Sequence, residues 1–82
     1  MQKRVIIVHG WAGSPEADWY HWLREQLEHD GFVVDIPAMP HPDAPRINEW
    51  VTALKTVVGK PDKGIILVGH SIGCQTILRY LE

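Results

Sequence analysis

The sequence predicts an α/β fold: a three-layer sandwich built on a parallel sheet with strand order 2-1-3. Two observations carry this expectation. Three short runs rich in Val and Ile (Val5–Val8, Phe32–Ile36 and Ile65–Val68) mostly lack alternation, as strands covered on both faces do. Three segments with apolar residues at helical spacing follow them in turn, giving the order β-α-β-α-β-α. Such alternation implies parallel strands joined by right-handed crossovers, here with the first strand in the middle.

The elements follow in order. After the first strand, Trp19, Trp22, Leu23 and Leu27 share a helix face, with a start at Ser14-Pro15-Glu16 or Asp18 and Gly31 at the C-cap. After the second strand comes a stiff loop with prolines at 37, 40, 42 and 45, too short for a domain linker. Ile47, Trp50, Val51, Leu54, Val57 and Val58 then form an amphipathic stripe. Asp43-Ala44-Pro45 supplies its start, and Gly59 with Pro61 its stop. After the third strand, Cys74, Ile77, Leu78 and Leu81 mark a third helix. This spacing places Cys74 in the core. Trp19, Trp22 and Trp50 fit helix faces packed on the sheet, with Trp19 also able to reach a cleft rim.

Composition narrows the function. The chain has 82 residues, 45% hydrophobic and 22% charged, with a formal net charge of -2. No basic stripe makes an electrostatic case for nucleic acid. A single cysteine excludes an internal disulfide framework. The first apolar run is too short for a signal-peptide core of about 7–15 residues. It is shorter still than the ~20 residues that span a bilayer. A cytoplasmic location is the expectation. Neither GxxxxGK[ST] nor GxGxxG occurs, so a flavodoxin-like nucleotide binder with the same strand order finds no support, and no cofactor is expected.

Ligands in such sheets sit beyond the carboxyl ends of the strands, near the switch between the first and third. Two loops fall there: His9-Gly10-Trp11-Ala12-Gly13 and Gly69-His70-Ser71-Ile72-Gly73. GxSxG alone is a weak signal. Here a strand precedes it and a helix follows, the context that exposes a serine Oγ on a sharp turn. The plainer alternative is a tight turn whose serine caps the helix. With Ser71 as nucleophile, the oxyanion would need backbone donors. Ile72, after the serine, and Trp11, in the loop after the central strand, hold those positions. His9, Gly10, Gly69, His70 and Gly73 support the two loops.

The other candidates read more simply. His70 precedes Ser71, but neighbours at a sharp turn point in different directions, which argues against a base. His21 and His29 read as surface residues, and His41 and Asp43 as a loop residue and a helix cap. No histidine pair has ligand spacing with a cysteine or carboxylate, so no metal site is expected.

The segments VIIVHGWAGSPEADWYHWL, MPHPDAPRINEWV and ILVGHSIGCQTILRYLE together resemble the small α/β-hydrolases of the retinoblastoma-binding-protein-nine and YdeN-like group of serine hydrolases. The Met39-Pro40…Pro42…Pro45-Arg46…Trp50 pattern sets that group apart from α/β-hydrolases in general. The resemblance implies an α/β-hydrolase fold, with residues 1–82 as the N-terminal part of a single domain. It implies a Ser-Asp-His triad in that chain order, with Ser71 as nucleophile. No acid and histidine follow Ser71 at the needed distance, so the chain reads as a fragment with the triad Asp and His missing. A serine without its base loses several orders of magnitude in rate. The expected activity is therefore a parent domain's: esterase-like hydrolysis of a small ester or acyl substrate through an acyl-enzyme. The alternative is a non-catalytic protein-interaction module on the same fold. No nucleic-acid or membrane partner is expected. The third strand is an unpaired edge, a site for self-association.

Overall fold

The computed structural model describes residues 3–11, 13 and 19–82. Its elements are β1 (Arg4–Val8), α1 (Tyr20–His29), β2 (Val33–Asp35), α2 (Ile47–Val58), β3 (Ile65–Gly69) and α3 (Ile72–Leu81). The strands are parallel in the order β2-β1-β3. β1 pairs with β3 along its whole length, from Arg4 opposite Ile65 to Val8 opposite Gly69.

Alternation along β1 divides the core into two layers. Val5 and Ile7 face α1 and pack with Tyr20, Val34 and Ile36, flanked by Leu23, Leu27 and Phe32. Ile6 and Val8 face the other way, against Trp50, Leu54 and Val58 of α2 and Ile77 of α3. Both faces of the strand are covered, which is why the run reads as continuously apolar. The three-layer sandwich follows directly.

Local chemistry sets the helix ends. α1 closes with Gly31 at φ 93°, its N–H donating to the Glu28 carbonyl (3.0 Å) and that of Phe32 to Leu27 (3.0 Å). That bond pair is a Schellman motif, and Phe32 and Leu27 pack on the same cluster. α2 stops at Gly59, φ 65°. Its C-terminal carbonyls are tied to the sheet by Arg4, which donates to Val57 (3.0 Å) and Val58 (3.3 Å) while pairing with Asp35 (3.0 Å). A cation at a helix C-terminus also meets the negative end of its dipole.

Several expectations are corrected. α1 is phased on Tyr20, Leu23 and Leu27 rather than on its tryptophans, and Trp22 is 63% exposed. α2 begins at Ile47, after an extended Arg46 that provides no side-chain cap, so Asp43 is a loop residue. α3 buries Gly73, Thr76 and Ile77, with Tyr80 partly buried beside them. Cys74, Leu78 and Leu81 lie on its exposed side. The cause is the contact between Gly73 and β1 described below, which fixes the rotation of the helix. The proposed starts of α1 at 14–16 and 18 lie outside the described residues. Among the described residues no helix is long and apolar enough to cross a membrane.

Candidate active site

Both loops meet at the C-terminal end of the sheet, and their closeness depends on glycine. α3 starts directly over the end of β1. A Cβ on Gly73 would fall on the Val8 carbonyl oxygen and within 2.9 Å of the His9 oxygen. A Cβ on Gly69 would lie 2.7 Å from the Cys74 nitrogen. The same Val8 carbonyl accepts the His70 N–H (3.1 Å), which pins the turn to the central strand. Across the gap, Gly10 lies against the turn: a Cβ there would stand 3.2 Å from both the His70 oxygen and Ser71 Cβ.

This crowding forces the backbone of the residue between. Ser71 is exposed, with φ 59° and ψ -123°, a conformation that L-residues other than glycine avoid. Its hydroxyl caps nothing: α3 has no side-chain cap from Ser71. The helix-capping alternative therefore fails. Strain of this kind costs of order 1–3 kcal/mol and clusters at functional sites. Ser71→Gly is accordingly expected to stabilise the fold by about 1 kcal/mol, the relieved strain exceeding glycine's entropic cost. A chemical-denaturation midpoint that falls in this variant would contradict the reading.

The backbone donors are distributed unevenly. The Gly73 N–H donates to His70 and that of Cys74 to Ser71, both at 2.9 Å. Among the described residues the N–H groups of Ile72 and Trp11 have no acceptor. The second of these is held in a fixed direction. The Gly10 carbonyl accepts from the Gly13 N–H (3.1 Å) and from His9 Nδ1 (3.0 Å). In a planar trans peptide the Trp11 N–H must then point the opposite way.

His9 can donate because of its own partner. It is buried, its ring edge-on to Trp50 at 5.3 Å, and its Nε2 accepts the Met39 N–H (3.1 Å). That places the ring proton on Nδ1. His9 thus joins the loop after β1 to the proline loop, where Trp50 Nε1 also donates to the Pro40 carbonyl (2.7 Å).

His70 Nδ1 lies 2.7 Å from the Tyr20 hydroxyl, which also accepts the Gly10 N–H (3.1 Å). Trp19 stands edge-on to the same ring at 5.6 Å, so it does reach the rim of the site. The structure thus brings together Ser71, Ile72, Trp11, His9, Gly10, Gly69, His70 and Gly73. It leaves His21, His29 and Cys74 on the surface of the helices. His41 is an exposed loop residue with φ 47°. Tyr20 is the member that sequence reasoning missed. The available signal was its i, i+3, i+7 phase with Leu23 and Leu27. Among the described residues no three His, Cys, Asp or Glu side chains gather where they could hold a metal ion.

Comparison with known proteins gives the family of the chain. The family model described as serine hydrolase matches residues 5–82. YdeN of Bacillus subtilis (strain 168) is 40% identical across the whole chain, which corresponds to 43% of YdeN. Serine hydrolase RBBP9 of Rattus norvegicus is 35% identical over 96% of the chain and 44% of its own length. The crystal structure of the ydeN gene product superposes with a TM-score of 0.93 over 99% of this chain and 44% of that one. The chain spans under half the length of these relatives and matches their N-terminal part. By its sequence across residues 5–82, the chain belongs to the serine hydrolase family.

Proposed function

We propose that this chain supplies the nucleophile and the oxyanion donors of an esterase-like site that acts on small esters or acyl compounds. The observation that carries the reading is the exposed Ser71 held at φ 59° between β3 and α3, with the Gly10 loop packed against it. In the reaction Ser71 Oγ attacks the carbonyl carbon while its proton passes to a base. Negative charge on the carbonyl oxygen is met by the N–H groups of Ile72 and Trp11. Collapse of that intermediate breaks the bond to the leaving group and leaves an acyl-enzyme, which water then hydrolyses. In this reading the base and its acid partner, a His and an Asp, belong to the part of the domain beyond the matched half. His70 is not assigned that role, because among the described residues no hydrogen bond joins its ring to Ser71 Oγ, its bonded ring partner being the Tyr20 hydroxyl. The 82-residue chain alone is then inactive.

The test is a chimera of residues 1–82 followed by the portion of YdeN beyond its matched segment. With p-nitrophenyl acetate it is expected to release a burst of about one equivalent of nitrophenol, the mark of an accumulating acyl-enzyme. Ser71→Ala is expected to remove the burst and lower kcat by about five to six orders of magnitude. A burst that survives this substitution would refute the assignment.

A second proposal concerns partners. β3 pairs with β1 on one side, and among the described residues no strand lies on the other. Ile66 is 44% exposed on that strand. An open apolar edge is a template for another chain, so the 82-residue protein is expected to self-associate through it. Light scattering that shows only monomer at high concentration would rule this out.

A further inference from the structure

We propose that Tyr20 and His70 form a positioning pair that sets the loop after β1 in register with Ser71. The inference rests on the reading of Trp11 and Ile72 as oxyanion donors. Those donors come from different ends of different strands, one beyond β1 and one beyond β3. A site that needs both must hold the two loops at a fixed separation, because donors for an oxyanion act within about 2.7–3.1 Å of it.

Three bonds bear on that separation. The His70 N–H donates to the Val8 carbonyl (3.1 Å), which joins the serine turn to the end of β1 through backbone. The Tyr20 hydroxyl accepts the Gly10 N–H (3.1 Å) and is bonded to His70 Nδ1 (2.7 Å), which joins the next residues of the same loop to the same turn. Tyr20 is fully buried, so water does not compete for its hydroxyl. The bond also decides which donor stays available: with the Gly10 N–H turned inward to Tyr20, the next N–H along, that of Trp11, is left for the substrate. Gly10 is closely fitted against the pair, since a Cβ there would stand 3.3 Å from His70 Nδ1, tighter than ordinary contact. His70 thus acts on the reaction through Tyr20 and Gly10.

The test reads the frame directly in the 82-residue protein by amide hydrogen exchange. In Tyr20→Phe, which keeps the buried ring, the Gly10 amide is expected to exchange about tenfold faster while the Ile6 to Val8 amides of β1 keep their protection. His70→Ala, at a half-buried position, is expected to act in the same direction. His70→Asn, whose Oδ1 occupies the place of Nδ1, is expected to restore slow exchange. Unchanged Gly10 protection in Tyr20→Phe, or no rescue by asparagine, would overturn the proposal. In the chimera, Tyr20→Phe is expected to lower kcat about tenfold at unchanged KM, the signature of an interaction made in the transition state. A loss confined to KM would also overturn it. If the wild-type chimera shows no burst, the hydrolase reading fails, while the exchange measurement still decides the frame.

Discussion

Gly73→Ala is expected to unfold this chain or to pull α3 off the sheet, with a loss above about 3 kcal/mol. The added methyl would occupy the position of the Val8 carbonyl oxygen and crowd that of His9. Both neighbours are backbone, Val8 at the end of the central strand and His9 directly after it, so no side-chain rotation relieves the overlap. Val8 also holds the His70 N–H, so moving the strand end would break the turn. Gly59→Ala is the control. Its φ of 65° is unfavourable for alanine, unlike the helical backbone at Gly73, but nothing lies within 4 Å of the new carbon. That variant is expected to lose only about 1–3 kcal/mol, the cost of placing a Cβ at a positive φ with ψ -128°, a conformation that glycine adopts freely. Thermal melts of the two variants that coincide would show that close approach is not what keeps glycine at 73.

Trp50→Ala is expected to cost about 3–5 kcal/mol, the range for deleting a large buried aromatic. A chain of 82 residues has roughly 4–12 kcal/mol in total, so much of its stability rests on this side chain. Trp50 is fully buried beside Ile6, Val8 and Leu54 and donates through Nε1 to Pro40. Trp50→Phe separates the two roles. It keeps most of the apolar area and leaves the Pro40 carbonyl without its donor, at a cost of about 1–3 kcal/mol. Because the Trp50 ring also meets His9, which holds the Gly10 carbonyl, Trp50→Phe should shift the Gly10 and Trp11 amide resonances as well. Chemical shifts unchanged at those residues would show that the core and the site are uncoupled.

The parts of the fold that were legible in the sequence are those set by local pattern. The span of α2, Ile47–Val58, follows from its apolar stripe and from Gly59, and the strand order follows from alternation of strands and helices. The serine turn was legible because strand, glycines and helix all fall at consecutive positions. The errors lie where a contact distant in sequence sets the phase. In α3 the periodicity of Cys74, Ile77, Leu78 and Leu81 suggested one inward face, but Gly73 has to meet Val8, and the helix turns accordingly. In α1 the tryptophans drew attention by size, while Tyr20 lies inward and Trp22 outward. The link from His9 to Met39 spans 30 positions and that from Tyr20 to His70 spans 50, so neither leaves a local mark.

In the proposed reaction Ser71 is a nucleophile whose base lies outside these 82 residues. Intact-mass labelling with a fluorophosphonate probe tests this most directly, on this chain and on the YdeN chimera side by side, each with its Ser71→Ala control. A single adduct is expected on the chimera, lost in its control, and none on the 82-residue chain. Rapid labelling of the 82-residue chain at Ser71 would contradict this assignment, since the base would then come from within this chain or from a second copy.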